Sequence, residues 1–280
     1  MKAIDTHAHL DQVPNVEEAL KEAAAVGVEA VIAVGSDLAS NQRNLEIKRS
    51  TPAPRIYLGL GIHPGNIKAE EIEPTLKFIR ENIREASAIG EIGLDFWYKW
   101  LRKDQEKHEE QRRVFQRQLE LAKEFNLPVV IHSRGTWREC FETTKKVGIK
   151  KAVFHWYSGP VDVLKDIIAA DYLVSCSPSL AYSPPSREAI IHAPIEQTLI
   201  ETDCPVFYQS RVPRGTIELR SGSSESGSSK ESWIEEGSEG FQATPKHVFK
   251  TLQAYCELKN MKEEEALDVL NRNARQFFNI

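Results

Sequence analysis

The stretch "AIDTHAHLDQ", residues 3–12, runs from an apolar start directly into Asp5, Thr6, His7, Ala8 and His9. A strand that opens a doubly wound nucleotide-binding sheet is followed by a glycine-rich turn that cradles phosphate. No such turn follows here, and the strand instead delivers two imidazoles one residue apart. Residues two apart in a strand point to the same side, so His7 and His9 can face one axis while Ala8 points away.

Working outward, short β-branched runs alternate with longer segments of helical period, the pattern of repeated β-α units around a parallel sheet. Candidate strands fall at 3–9, 29–34, 56–61, 86–90, 128–132, 152–155, 172–175 and 198–201, and candidate helices at 16–26, 72–85, 105–125, 136–147, 161–170, 186–192, 244–258 and 262–277. Eight such units predict an α/β fold closed as a (β/α)8 TIM barrel, and a chain of 280 residues suits one barrel spanning 1–280. The Ser-, Gly- and Glu-rich segment 221–240 is expected to be a loop inserted after the last strand rather than a domain boundary.

A formal net charge of -5 argues against a generally basic nucleic-acid coat while allowing a local basic cleft. The four cysteines, Cys140, Cys176, Cys204 and Cys256, lack the paired spacing of a zinc ribbon or a disulfide framework. Neither a cleavable leader pattern nor an apolar run long enough for a bilayer is present, so a reduced, cytoplasmic protein with no membrane association is expected. No segment calls for an obligate protein partner.

The unusual side chains sit at strand ends. His7 and His9 close the first strand, Glu91 follows the fourth, His132 closes the fifth, His155 closes the sixth and Asp203 follows the eighth. Barrel active sites are built at that C-terminal face, so all six should converge on one mouth. A lone strand-end histidine is often a hydrogen-bonded core residue. Four imidazoles and two carboxylates in one apolar barrel are costly to bury unless a shared cation compensates them.

With these residues in place, the chain resembles the TatD family of metal-dependent hydrolases, TatD-related deoxyribonucleases within the amidohydrolase superfamily. The likeness rests on "DTHAHLD", "GLGIHPGN", "IGEIGLDFW", "FQRQLELAKEFNLPVVIHSR", "FHWYSG" and "IETDCP", in that order, with "LNRNARQFF" near the end. The resemblance implies two divalent metal ions: His7, His9 and Asp203 around one, His132 and His155 around the other, and Glu91 between them. Such a pair activates a water for phosphodiester cleavage, with Glu91 and Asp203 as catalytic residues and Asp203 taking the proton. Imidazole mixed with carboxylate suits Zn²⁺ or Mn²⁺ and also admits Mg²⁺. The family's association with 3′-to-5′ exonuclease activity makes DNA the leading substrate expectation.

For substrate binding, His63 in "GIHPG" matches a family position near the metals and is expected to donate to a phosphate rather than coordinate. Arg134 can clamp a phosphate or form a rim salt bridge, and Ser158 can present a hydroxyl to an anion. In "DFWYKWLRK", Trp97 and Tyr98 stand among aromatics and cations suited to single-strand binding, though Trp97 can equally pack the loop onto the barrel. Lys107, Arg112, Arg113 and Arg117 read as the solvated face of the next helix.

The chain departs from the family pattern at three places. Gly135 follows Arg134 where an acidic residue is usual, Trp156-Tyr157 replaces a usual Cys-Phe, and an Asn-Glu-Pro element after Asp203 gives way to Arg211, Arg214 and the acidic insertion. Such a flap could repel long polyanions. The resemblance also implies a second expectation, metal-dependent hydrolysis of an ester, lactone or amide, including an aminoacyl-tRNA, since the same metal-activated water would serve; a non-catalytic metal-binding module is a remote third. A base deaminase lacks its usual Glu in "IHSRGTW", and Glu91 at the end of strand four disfavours a carboxylated-lysine phosphotriesterase.

Overall fold

The computed structural model describes residues 1–97, 101–209 and 240–280. Strands β1 (Ala3–Ala8), β2 (Val28–Val34), β3 (Arg55–Leu60), β4 (Ala86–Asp95), β5 (Val129–Arg134), β6 (Ala152–Phe154), β7 (Leu173–Cys176) and β8 (Thr198–Ile200) pair in parallel in chain order. Their side chains are almost continuously buried, as strands covered on both faces must be. Helices α1 (Val16–Val26), α2 (Leu38–Ser50), α3 (Ala69–Glu81), α4 (Gln105–Phe125), α5 (Trp137–Val147), α6 (Val161–Ala169) and α7 (Pro184–His192) each follow one strand, and α8 (Val248–Lys259) and α9 (Glu263–Phe278) complete the chain. The fold is thus the expected (β/α)8 TIM barrel.

Two elements differ from the reading of the sequence. Helix α2 shows little apolar period because its inward positions are polar: Asn41 Nδ2 donates to Gly61 O at 2.7 Å and Asn44 Nδ2 to Val34 O at 3.0 Å. Strand β4 continues past Gly90 to Asp95, so Glu91 lies inside a strand rather than after one. Beyond β8, a ribbon of β9 (Phe207–Gln209) and β10 (Gly240–Gln242) pairs antiparallel. Of the expected insertion 221–240 only Gly240 lies among the described residues, while Arg211, Arg214 and Tyr98 lie outside them.

Register shifts decide which side chains face the axis. Asp5 pairs with Val31 and Ala8 with Ala33, so three residues of β1 oppose two of β2. The extra residue reverses the alternation, and the inward side passes from Ile4 to His7 and His9. A matching shift lies in β4, where Ile89 pairs with Val129 and Ile92 with Ile131. There the inward side passes from Ala88 to Glu91, Gly93 and Asp95.

The seam between β8 and β1 is closed largely by side chains. Thr202 donates to Asp5 through its backbone N–H (2.9 Å to Oδ1) and its hydroxyl (2.6 Å to Oδ2), and Thr6 Oγ1 donates to Ile200 O at 2.9 Å. Above them Asp203 N donates to His7 O at 2.9 Å and His9 N to Cys204 O at 2.8 Å. Asp203 adopts a left-handed backbone, φ 49°, held by these bonds.

At the opposite end, Ile4, Ile32, Val130, Val153 and Leu199 from inside the barrel pack with Ala274, Phe277 and Phe278 of α9. Lys151 Nζ fastens this helix by donating to Gln276 O at 2.6 Å. Phe277 is buried in this plug, so Phe277→Ala should lower unfolding free energy by about 3–5 kcal/mol. Urea denaturation followed by circular dichroism checks this, and a loss well below 1 kcal/mol, small for a buried aromatic, would show that α9 does not plug the barrel.

Candidate metal centre

Glu91 divides the site into two nests of donor atoms. On one side lie its Oε2, Asp203 Oδ1 and the Nε2 atoms of His7 and His9. His7 Nε2 is 3.4 Å from each oxygen, and His9 Nε2 is 3.3 Å from Glu91 and 3.4 Å from Asp203. Four ligands in a tetrahedron around a cation at about 2.0–2.1 Å are separated by roughly 3.3–3.4 Å. His7 Nε2, Glu91 Oε2 and Asp203 Oδ1 are also buried without a hydrogen-bond partner among the described residues. Orphaned oxygens of this kind are expensive in a barrel interior, and a shared cation satisfies them together. The residues present therefore fit a metal ion.

The second nest centres on Glu91 Oε1, 2.7 Å from His132 Nδ1 and 2.7 Å from His155 Nε2. His63 Nε2 lies at its edge, 3.3 Å from His132 Nδ1 and 3.6 Å from Glu91 Oε1. His63 Nδ1 accepts from Gly65 N at 2.9 Å, so the neutral ring carries its proton on Nε2 and presents a donor rather than a lone pair. Burial, reinforced by the neighbouring imidazoles, overcomes the pull of Glu91 and lowers its pKa to about 3, which keeps the ring neutral.

Partners outside the nests aim the imidazoles. His132 Nε2 meets Asp95 Oδ2 at 2.9 Å, His155 Nδ1 lies 3.4 Å from Glu201 Oε1, and His9 Nδ1 lies 3.3 Å from Ser36 Oγ. Each leaves the other ring nitrogen directed at Glu91. The sequence reading did not single out these three residues, although two follow from period two: Asp95 shares a side with Glu91, and Glu201 with Asp203. Gly93, between Glu91 and Asp95, has φ +147°, and a Cβ there would stand 1.9 Å from His132 O, so only glycine lets the two strands approach.

The carboxylates dominate the electrostatics of the imidazoles around them. Burial alone would depress the His9 imidazole, but contacts with Asp203 and Glu91 outweigh it and raise the pKa to about 10. His132 and His155 are likewise raised against burial by facing carboxylates. Burial would raise Glu91, yet the facing imidazoles, the charge of His155 foremost and the hydrogen bond from His132 beside it, hold it well below the usual carboxylate range. A cation bound by His9, His132 or His155 therefore competes with a proton for the same ring.

The nests open into a chamber of about 640 Å³, which Arg134, Ser133 and Ser158 also line. Arg134 Nε donates to Asp95 Oδ2 at 2.9 Å, making it both a rim ion pair and a cation beside the chamber. Trp97 does not line the chamber; it is 57% exposed, with the Arg102 guanidinium 5.0 Å from its ring centre. Phe96 packs the loop onto α4, stacked 3.9 Å from His108 of that helix. Arg112 and Arg117 pair with Glu139 and Glu73. Cys176 and Cys204 are buried free thiols whose pKa values burial pushes well up, which suits inert packing. Among the described residues no helix is long and apolar enough to cross a membrane.

Comparison with known proteins places this geometry in a family. The family model described as TatD related DNase matches residues 4–279. The chain is 31% identical to an uncharacterized metal-dependent hydrolase of Methanocaldococcus jannaschii, over 99% of this chain and 97% of that one. It is 28% identical to human deoxyribonuclease TATDN3, over 73% of this chain and 78% of that one. The crystal structure of YjjV, a TatD homologue from Escherichia coli, superposes with a TM-score of 0.79 at 24% identity, over 99% of this chain and 98% of that one.

Two outcomes follow from this geometry. His9, raised from 6.5 to about 10, stabilises the metal-free fold fully below pH 6.5, and that contribution is lost as pH rises through about 10. Cation binding needs the deprotonated ring, so calorimetric titration with Zn²⁺ or Mn²⁺ between about pH 6 and 8 should show proton release and an affinity that rises with pH. A pH-independent affinity without proton release contradicts this. Asp95→Asn, which loosens the aim of His132, should weaken metal binding by about 10–100-fold in the same titration while the fold persists.

Proposed function

Because the chain belongs to the family of TatD-related DNases, we propose that it is a divalent-metal-dependent phosphodiesterase, a deoxyribonuclease that removes nucleotides from DNA ends in the 3′-to-5′ sense. The observation that carries this reading is the division of one buried carboxylate between two nests, Oε2 of Glu91 among His7, His9 and Asp203, and Oε1 between His132 and His155. These six residues would hold two divalent ions, with Zn²⁺, Mn²⁺ and Mg²⁺ as candidates. When bound, such a pair lowers the pKa of a water and offsets charge on the attacking and leaving oxygens of a phosphodiester.

The side chains supply the rest. Asp203, through its second carboxylate oxygen, takes a proton from the attacking water. His63, neutral and with its proton on Nε2, donates to a phosphoryl oxygen. Arg134 offers guanidinium N–H groups to the same phosphate while Asp95 fixes its orientation. Ser158 contributes a hydroxyl at the chamber wall. Trp97 and Tyr98, beyond β4, are proposed to meet bases farther along the strand. The substrate is DNA or another nucleic acid, consistent with the deoxyribonuclease name of the human relative.

The test is metal-dependent hydrolysis of single-stranded DNA, bis-p-nitrophenyl phosphate and a simple carboxylic ester by wild type and Glu91→Ala. DNA and phosphodiester cleavage should fall by about a thousandfold in the variant, with an unchanged circular dichroism spectrum. Full activity in Glu91→Ala would overturn the two-nest assignment, and turnover of the carboxylic ester alone would move the protein to a different substrate class.

A further inference from the structure

The chamber is lined by chemically different groups. One kind is the imidazoles and carboxylates of the nests; beside them the lining also carries Trp156, Tyr182, Pro205 and Val206 among Ser158, Ser179, Ser183 and Ser186. Trp156 directly follows His155 and has φ 41°, a left-handed backbone that a bulky side chain adopts only when the surroundings enforce it. Enforcement is visible. Trp156 N donates to Glu201 Oε1 at 2.8 Å and lies 3.1 Å from Ser175 Oγ, which itself donates to Glu201 Oε2 at 2.6 Å. The carboxylate that meets His155 thus also fixes the backbone of Trp156.

The indole is braced from behind. Its ring centre lies 5.7 Å from that of Tyr208, Tyr208 lies 5.7 Å from Phe241, and Phe241 lies 4.6 Å from His247. Tyr208 and Phe241 belong to the β9–β10 ribbon, and the Tyr208 hydroxyl donates to Thr202 O at 2.8 Å, one residue from Asp203. The result is a half-buried indole held rigidly beside the nests, with its backbone strained where a relaxed conformation would serve simple packing.

Building on the phosphodiesterase reading above, we infer that Trp156 is a specificity-determining residue, the platform on which a base of the nucleic-acid end stacks while its phosphate lies at the nests. A flat, uncharged, polarizable ring beside a phosphate site offers the face on which a nucleobase stacks. Rigid support raises the value of such a contact, because little side-chain freedom is lost on binding. The chamber, of about 640 Å³, has room for one nucleotide beside the nests. Because every base has a stacking face, the preference is for a base as such, with little sequence selectivity.

The experiment uses the full chain with Mn²⁺ and two chromogenic esters sharing one leaving group: the p-nitrophenyl ester of thymidine 5′-monophosphate, and methyl p-nitrophenyl phosphate, which lacks a base. Trp156→Leu should reduce the preference for the thymidine ester over the methyl ester by roughly 5- to 150-fold, mostly through KM, and Trp156→Phe should restore most of it. An unchanged preference in a folded Trp156→Leu protein would overturn the inference while leaving the phosphodiesterase reading intact. If Trp156→Leu loses its thermal transition, Trp156→Phe decides alone: a KM increase of a few-fold confined to the thymidine ester supports stacking, and equal changes for both esters overturn it. Failure of wild type to hydrolyse either ester would overturn the phosphodiesterase reading, and this inference with it.

Discussion

A buried carboxylate facing imidazoles on both sides is the constraint around which this barrel is arranged. Glu91 is 1% exposed, and four of the six candidate ligands reach it from strands on other parts of the circle. Such a charge is tolerable only with opposite charge close by, supplied by protons on the histidines or by cations in their place. The outer partners, Asp95, Glu201 and Ser36, then decide which nitrogen of each ring faces Glu91. Asp95 extends the same device outward by holding Arg134, and Glu201 by holding Trp156, so the chamber lining and the nests are oriented by shared carboxylates.

The backbone makes room for this constraint in irregular places. Without the extra residue between Asp5 and Ala8, the alternation of β1 would turn His7 and His9 toward the helices. The shift in β4 does the same for Glu91, and Gly93 then permits β5 to approach closely enough for His132 to meet both Glu91 and Asp95. The Asp5–Thr202 bonds close the circle next to Asp203, so barrel closure and placement of that carboxylate are one event. Regular strands below, sealed by α9, supply the rigid support on which such departures depend.

Much of this was legible in the sequence, for identifiable reasons. Strand positions showed as β-branched runs, and most helices as longer stretches of helical period between them. The convergence of six polar strand-end residues followed from barrel geometry alone. Helix α2 was hidden because Asn41 and Asn44 fill inward positions with amides bonded to backbone, leaving no apolar stripe. Asp95, Glu201 and the buttressing of Trp156 were hidden because the register shifts and the β9–β10 pairing depend on distant strands, which a local pattern cannot register.

The central claim is that two cations share Glu91. Anomalous diffraction from crystals soaked in Mn²⁺ tests it most directly. The account predicts two peaks flanking the Glu91 carboxylate, one among His7, His9 and Asp203 and the other beside His132 and His155. A single peak, or peaks away from Glu91, would contradict it.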